Sequence, residues 1–275
     1  MPNGIVININ PAIFHFGGFE LRWYSLTIIL AIIAAVMIGV KRGRHRGFAA
    51  DDMYSLAMWV ILSGMIGARL FHVVDRFDYY LSHPAQILAL QQGGLAIWGA
   101  LGGGALAAVI FARVKRWSFI KLGDVLVPGI LVAQMIGRIG CIINGDAYGD
   151  ITSLPWGFIY THPGAMIPAS LFGVPTHPYP VYEMLWNGLT LLGILYLGRR
   201  VKTDGVLFLS YVSAYSLGRF LLTFVRLERD TAFGLQQAQV IALFLFVLAV
   251  SSIIYVYFIK RPARKTGDSL SLEAK

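Results

Sequence analysis

The chain has 275 residues, of which 57% are hydrophobic and only 13% charged, against about 25% charged in a soluble domain. A mean hydropathy of +0.66 excludes an ordinary soluble fold. The net charge of +9 does not argue for nucleic acid, because the basic residues fall in short clusters between apolar runs, as in cytoplasmic loops.

A single cysteine allows no intrachain disulfide. The N-terminal stretch has no basic start and no small-residue cleavage site. No cleavable signal peptide is expected, and the first membrane helix acts as an uncleaved anchor. Residues 1–21, broken by Pro2, Pro11, Gly17 and Gly18, are expected to form an interfacial or partly extended arm. Residues 22–40 are the first spanning candidate, followed by the basic cluster Lys41, Arg42, Arg44 and Arg46. Residues 53–74 return and carry Arg69 near their far end. Residues 75–92 read as a polar, aromatic-rich external loop with a short amphipathic helix. Residues 94–112 span again through GALGGGALAA, whose small residues let helices approach closely. Arg113, Lys115, Arg116 and Lys121 mark the next basic turn, and residues 120–136 cross back.

Residues 151–176 hold Pro155, Pro163, Pro168 and Pro175, which rule out a continuous helix. They are expected to form a small irregular or β-hairpin external cap. Residues 179–197 span and meet Arg199, Arg200 and Lys202. Residues 206–225 span toward the charged stretch 226–230. Residues 240–259 end at Lys260, Arg261, Arg264 and Lys265. The predicted fold is an all-α integral membrane protein of about seven transmembrane helices. Most of the 23 lysines and arginines fall on one side, which puts the N-terminus outside and the C-terminus in the cytoplasm. Residues 1–265 form one polytopic membrane domain, and residues 266–275 a disordered cytoplasmic tail.

Residues 137–149, GRIGCIINGDAYG, follow the long apolar run 125–136. Four glycines, Gly137, Gly140, Gly145 and Gly149, let a backbone turn sharply and approach a ligand. Arg138 is a permanent cation whose planar donor fork suits phosphate. Read from the residues alone, this is either a re-entrant turn with an interfacial arginine or an anion site. Tyr24, Arg69, Asp146, Glu183, Tyr215, Arg219 and Arg226 all fall near or beyond external helix ends. Nearby arginines outnumber acids there, so an anionic lipid headgroup is a natural counter-ion. The simpler roles stay open: packing for residues 93–104 and Cys141, and an aromatic belt for Trp23 and Tyr24.

Residues 137–149 resemble the signature G-R-x-G-N-x-x-N-x-E-x-x-G of the prolipoprotein diacylglyceryl transferase family, with Cys141 for its asparagine and Asp146 for its glutamate. Other segments resemble family segments in the family's order. RWYS at 22–25 resembles W-Y-G, and Gly67-Ala68-Arg69 resembles G-A-R. GGLAIWGA at 93–100 resembles G-G-x-x-x-H-G, with Trp98 in place of the histidine. HPYPVYE at 177–183 resembles H-P-x-Q-x-Y-E, with Pro180 for the glutamine, and YSLGR at 215–219 resembles Y-x-x-x-R. Asp124, Arg226 and Gln239 fit further family positions.

The resemblance implies transfer of an sn-1,2-diacylglyceryl group from phosphatidylglycerol to the lipobox cysteine thiol of a prolipoprotein, forming a thioether and releasing glycerol phosphate. No cofactor is expected, and no metal site is visible, because the scattered histidines lack ligand spacing. The partners would be phosphatidylglycerol, lipobox signal peptides and the lipid bilayer, not nucleic acid. The location would be the bacterial plasma (inner) membrane, with an external, periplasmic active face. Arg138 and Arg219 would hold the phosphate, with Asn144, Tyr24 and Tyr215 as positioners. Asp146 would orient an arginine, Arg138 first, or accept a proton. Gly94, Trp98, Arg69, Gly149, Glu183 and Arg226 would complete the phosphatidylglycerol site. Trp98 cannot accept a proton, so a histidine-base mechanism does not carry over. The alternative is a polytopic anionic-lipid or anion transporter, against which the crowding of polar residues on one face argues.

Overall fold

The computed structural model describes residues 3–16, 19–89, 93–226, 230–232 and 235–256. Eight α-helices dominate these residues: α1 (Trp23–His45), α2 (Ala50–Asp75), α3 (Phe77–Ser82), α4 (Ile97–Val114), α5 (Phe119–Asn144), α6 (Tyr179–Arg200), α7 (Val206–Thr223) and α8 (Gln237–Ile254). Six of them, all but α3 and α6, are long and apolar enough to cross a membrane. Their outer faces carry exposed large apolar side chains such as Ile29, Leu30, Ile33, Met58 and Phe244, as lipid contact requires. α6 has 22 residues, but it buries Glu183 and Asn187 among its neighbours. Lys260, Arg261, Arg264, Lys265 and the tail 266–275 lie outside the described residues.

α5 is the hub, packed against α1, α6 and α7, while α2 pairs with α4 and α7 with α8. Small residues set these approaches. A Cβ on Gly129 would meet the Ala35 backbone of α1, and one on Gly99 would meet the Gly67 carbonyl of α2. Ser118 caps α5 by accepting from the Lys121 amide at 3.4 Å. Asp124, buried in α5, accepts from the Gly205 and Phe208 amides at 2.7 and 2.8 Å. It thereby satisfies the orphan donors at the start of α7 from a different helix. Gln236 and Gln239 form a reciprocal capping box on α8.

Two expectations need correcting, and one becomes specific. First, α5 does not stop before the signature. It runs through Asn144 and ends only at Gly145, which takes a left-handed φ of 75°. Gly137 and Gly140 are therefore helical. Gly140 faces Tyr24 and Thr27 of α1, so its missing side chain admits a neighbouring helix instead of turning the chain. Second, the N-terminal arm is part of the cap. β1 (Ile5–Ile7) pairs in parallel with β4 (Phe158–Tyr160), and β2 (Ala12–Phe16) forms a hairpin with β3 (Phe19–Arg22). Of the two expected forms, residues 151–176 take the irregular one: β4 has its ladder partner in the arm, and Thr176 bridges back to Phe158 and Ile151. A third pair, β5 (Asp230–Ala232) with β6 (Leu235–Gln236), precedes α8. Third, α1 extends to His45, so Lys41, Arg42 and Arg44 stand on helix, not on a loop. Phe158, Tyr160, Ile167 and Leu171 form a small core within residues 151–176.

Candidate active site

Three helices bring the site together. Arg138, Cys141 and Asn144 recur every three residues along the last turns of α5, so all face roughly one side. Tyr179 and Glu183 stand four apart on the first turns of α6, and Tyr215 and Arg219 four apart near the end of α7.

The meeting point is Glu183, only 7% exposed. Its Oε2 forms an ion pair with Arg138 Nε, and its Oε1 lies 3.9 Å from Arg219 Nη1. The Tyr179 hydroxyl ties the junction together. It accepts from Arg219 Nη1 at 2.7 Å and donates to Glu183 Oε1 at 3.1 Å. Arg226 lies over the Tyr179 ring, 5.2 Å from its centre, within cation–π range. Arg138 also donates from Nη1 to Cys141 Sγ at 3.6 Å. Its Nη2 has no partner among the described residues, and its side chain is 28% exposed. A buried carboxylate between guanidiniums is a fixed anchor. It holds Arg138 at Nε and leaves the side chain partly exposed.

A second group of contacts borders the junction. Asn144 is buried; it accepts from Arg22 Nη1 at 3.1 Å, and its amide lies 3.1 Å from Met166 Sδ. Arg22 also pairs with Glu20 at 2.9 Å. The arm and the cap are thereby fastened to the end of α5. Tyr24 packs against Gly140. The Gly149 amide donates to the His177 carbonyl at 3.0 Å. A Cβ there would collide with His177 and the Val225 carbonyl, so glycine joins the signature loop to α6 and to the end of α7. Tyr160 donates to the Ile142 carbonyl at 3.0 Å. Burial pushes its phenol well above the usual range, with Asp146 and Cys141 adding to the rise. Tyr160 is thus a fixed donor that closes the cap over α5. Tyr215 is partly exposed and stacks obliquely on Tyr211. It shares a small recess with Glu183, Asn187, Gly218 and Arg219.

Asp146 forms no ion pair with Arg138. The left-handed turn at Gly145 carries it past the helix end, where it is exposed and forms no ion pair among the described residues. Glu183 holds Arg138 instead. Arg69 also departs from its expected role. Its guanidinium donates to five carbonyls, those of Gln86, Ile87, Ala89, Gly93 and Gly94, which matches its five N–H groups. It staples the loop between α2 and α4 and has no donor left for phosphate. Gly94, at φ 72°, lies so close to Arg69 and His72 that a Cβ would overlap both. Its role is loop closure. Trp98 is 61% exposed on the first turn of α4 and forms no hydrogen bond among the described residues.

Sequence reasoning missed Tyr179 and Arg22. Tyr179 stands one helical turn before Glu183, a spacing that flags a shared face. Arg22 sits in the quoted RWYS segment, but only the folded arm puts it on Asn144.

The sequence pattern described as Prolipoprotein diacylglyceryl transferase matches residues 11–255. The chain belongs to the prolipoprotein diacylglyceryl transferase family. Among its relatives are proteins named phosphatidylglycerol–prolipoprotein diacylglyceryl transferase. The one from Geobacter sulfurreducens is 38% identical over 261 residues, covering 90% of this chain and 96% of its own. The one from Dehalococcoides mccartyi strain BAV1 is 36% identical over 252 residues, covering 90% and 94%. The one from Listeria innocua is 33% identical over 277 residues, covering 100% and 99%. The departures at Cys141 and Trp98 therefore occur within a family member. Neither sits at the Glu183 anchor; Cys141 only receives an Arg138 donor.

Proposed function

We propose that this chain transfers the sn-1,2-diacylglyceryl group of phosphatidylglycerol to the lipobox cysteine thiol of a prolipoprotein. The observation that carries the reading is the Arg138–Glu183–Arg219 junction, with Arg138 anchored at Nε and 28% exposed. In the reaction the thiolate sulfur attacks the glycerol CH₂ carbon. The C–S bond forms, the C–O bond to phosphate breaks, and the electron pair leaves on glycerol phosphate. The thiol proton goes to an acceptor. Only the phosphate side then needs strong stabilisation, because the leaving group is already anionic. Preorganised cations in a water-poor site supply it.

Arg138 and Arg219 hold the phosphate, and Glu183 and Tyr179 fix their geometry. Asn144, Tyr24 and Tyr215 position the lipid headgroup, and Gly149 and Arg226 frame it. Asp146, exposed beside this end of α5, is the proton acceptor. α6 is the seventh span, its buried carboxylate neutralised by the two arginines. The bundle sits with the N-terminus and cap outside and the C-terminus in the cytoplasm of a bacterial plasma membrane, so the junction faces the periplasm.

The test is purified full-length protein in vesicles with phosphatidylglycerol carrying separate labels on its acyl chains and its terminal glycerol, plus a lipobox peptide. Acyl label on the peptide and an equal amount of released glycerol phosphate are expected. Label moving across the membrane with none on the peptide would make the protein a transporter instead.

A further inference from the structure

We infer a second lipid site at the end of the bundle opposite the Arg138 junction, shaped for an anionic glycerophospholipid of the nearer membrane leaflet. Two recesses meet there. One is lined by Met37, Val40, Lys41, Arg44, His45 and Tyr54. The other is a groove between α1, α2 and α5, and every residue that lines it is apolar, Ile32, Ala35, Ala57, Ile61 and Ile130 among them. Val40 lines both, so the basic recess adjoins the groove.

The sequence builds this arrangement simply. Lys41, Arg44 and His45 stand at i, i+3 and i+4 near the end of α1, on one face of the helix. The small side chains Ala35, Gly39 and Ala57 leave the groove unfilled. Two nearby acids are engaged elsewhere, Asp52 with Lys115 at 2.7 Å and Asp204 with Arg46 at 3.5 Å, while Asp51 is exposed at the start of α2. Lys41 and Arg44 form no ion pair among the described residues. Water has little reason to fill a groove without polar partners.

Length and charge select the occupant. From Ile32 to Val40 the groove follows α1 for about 12 Å at 1.5 Å per residue. That is close to one leaflet, half of a hydrocarbon core about 30 Å thick. An acyl chain lying from Val40 toward Ile32 would fill it, while its phosphate reached Lys41 and Arg44 and the Tyr54 hydroxyl. A dissolved phosphate would leave the groove empty. A zwitterionic lipid would bring its ammonium among the cations. The site shares no residue with the Arg138 junction, so it is not the donor site.

The test uses delipidated full-length protein in detergent, titrated with dioleoyl phosphatidylglycerol and read by intact-complex mass spectrometry. Dioleoyl phosphatidylcholine and inorganic phosphate are run in parallel. One variant is Lys41→Gln with Arg44→Gln, both exposed positions at a helix end. A second, Ala57→Phe, fills the groove without touching the cations. Arg138→Lys reports on the donor site. Wild-type protein should retain a phosphatidylglycerol that Arg138→Lys also retains. The Lys41/Arg44 variant should bind it more weakly by about fivefold per basic residue removed, and Ala57→Phe should also weaken it. Unchanged binding in the Lys41/Arg44 variant would overturn the site. So would equal retention of phosphatidylcholine, or displacement of the lipid by inorganic phosphate alone.

Discussion

Glu183 holds Arg138 and Arg219 by charge and Tyr179 by a hydrogen bond. Replacing it with glutamine keeps the shape and the Tyr179 contact but leaves two guanidiniums without their shared anion. Glu183→Gln should lower the transfer rate at least about tenfold, roughly 1.4 kcal/mol of barrier, in a peptide-lipidation assay; unchanged transfer would mean the arginines hold themselves. Asp146 is exposed and stands apart from this anchor. If it accepts the proton, Asp146→Asn should slow transfer at neutral pH and recover in part near about pH 9, where the peptide thiol ionises unaided. A loss that stays constant between the two pH values would assign Asp146 to geometry instead. Arg138, Arg219 and Glu183 were all legible in the sequence as chemistry-bearing residues near one membrane face. Their pairing was not. Asp146 is nearer than Glu183 to Arg138 along the chain, but Gly145 turns the chain away, and only the α5–α6 packing brings Glu183 in.

The helices approach one another through missing side chains. On α2 and α4, Gly67, Gly99 and Gly103 put backbone against backbone, and a Cβ on Gly99 would overlap the Gly67 carbonyl and Phe71. Gly99→Val should destabilise the protein by roughly 1–3 kcal/mol, the usual cost of overpacking, seen as a lower midpoint in thermal unfolding in detergent. An unchanged midpoint would contradict the close α2–α4 contact. The spans were readable because apolar runs of membrane length announce themselves. The end of α5 was not, because glycine-rich, polar sequence normally ends a helix and here continues one. Gly140 is tolerated inside it because Tyr24 and Thr27 pack into the gap. The arm and cap were legible only as non-helical: a three-residue parallel pairing between Ile5–Ile7 and Phe158–Tyr160 joins segments far apart in sequence and leaves no local period.

At the scale of the whole molecule, α1 and α5 run in opposite directions, with Tyr24 beside Gly140 and Ala35 beside Gly129. The Arg138 junction therefore lies at one end of the bundle and the basic end of α1 at the other. The proposed orientation, which follows the positive-inside rule, has that basic end in the cytoplasm. A reporter active only in the cytoplasm, fused after Lys275, should be active, and activity of a periplasm-only reporter there would reverse the orientation. The central claim is that the Arg138 fork holds the phosphate as it leaves. Lysine keeps the charge at that position but lacks the planar fork. The direct measurement is the initial rate of acyl-label transfer from phosphatidylglycerol to a lipobox peptide by Arg138→Lys and wild-type protein in the same vesicles, with the thermal midpoint of each recorded. The account predicts a rate at least about tenfold lower, roughly 1.4 kcal/mol of barrier, at an unchanged midpoint. A near-wild-type rate in the folded variant would contradict it.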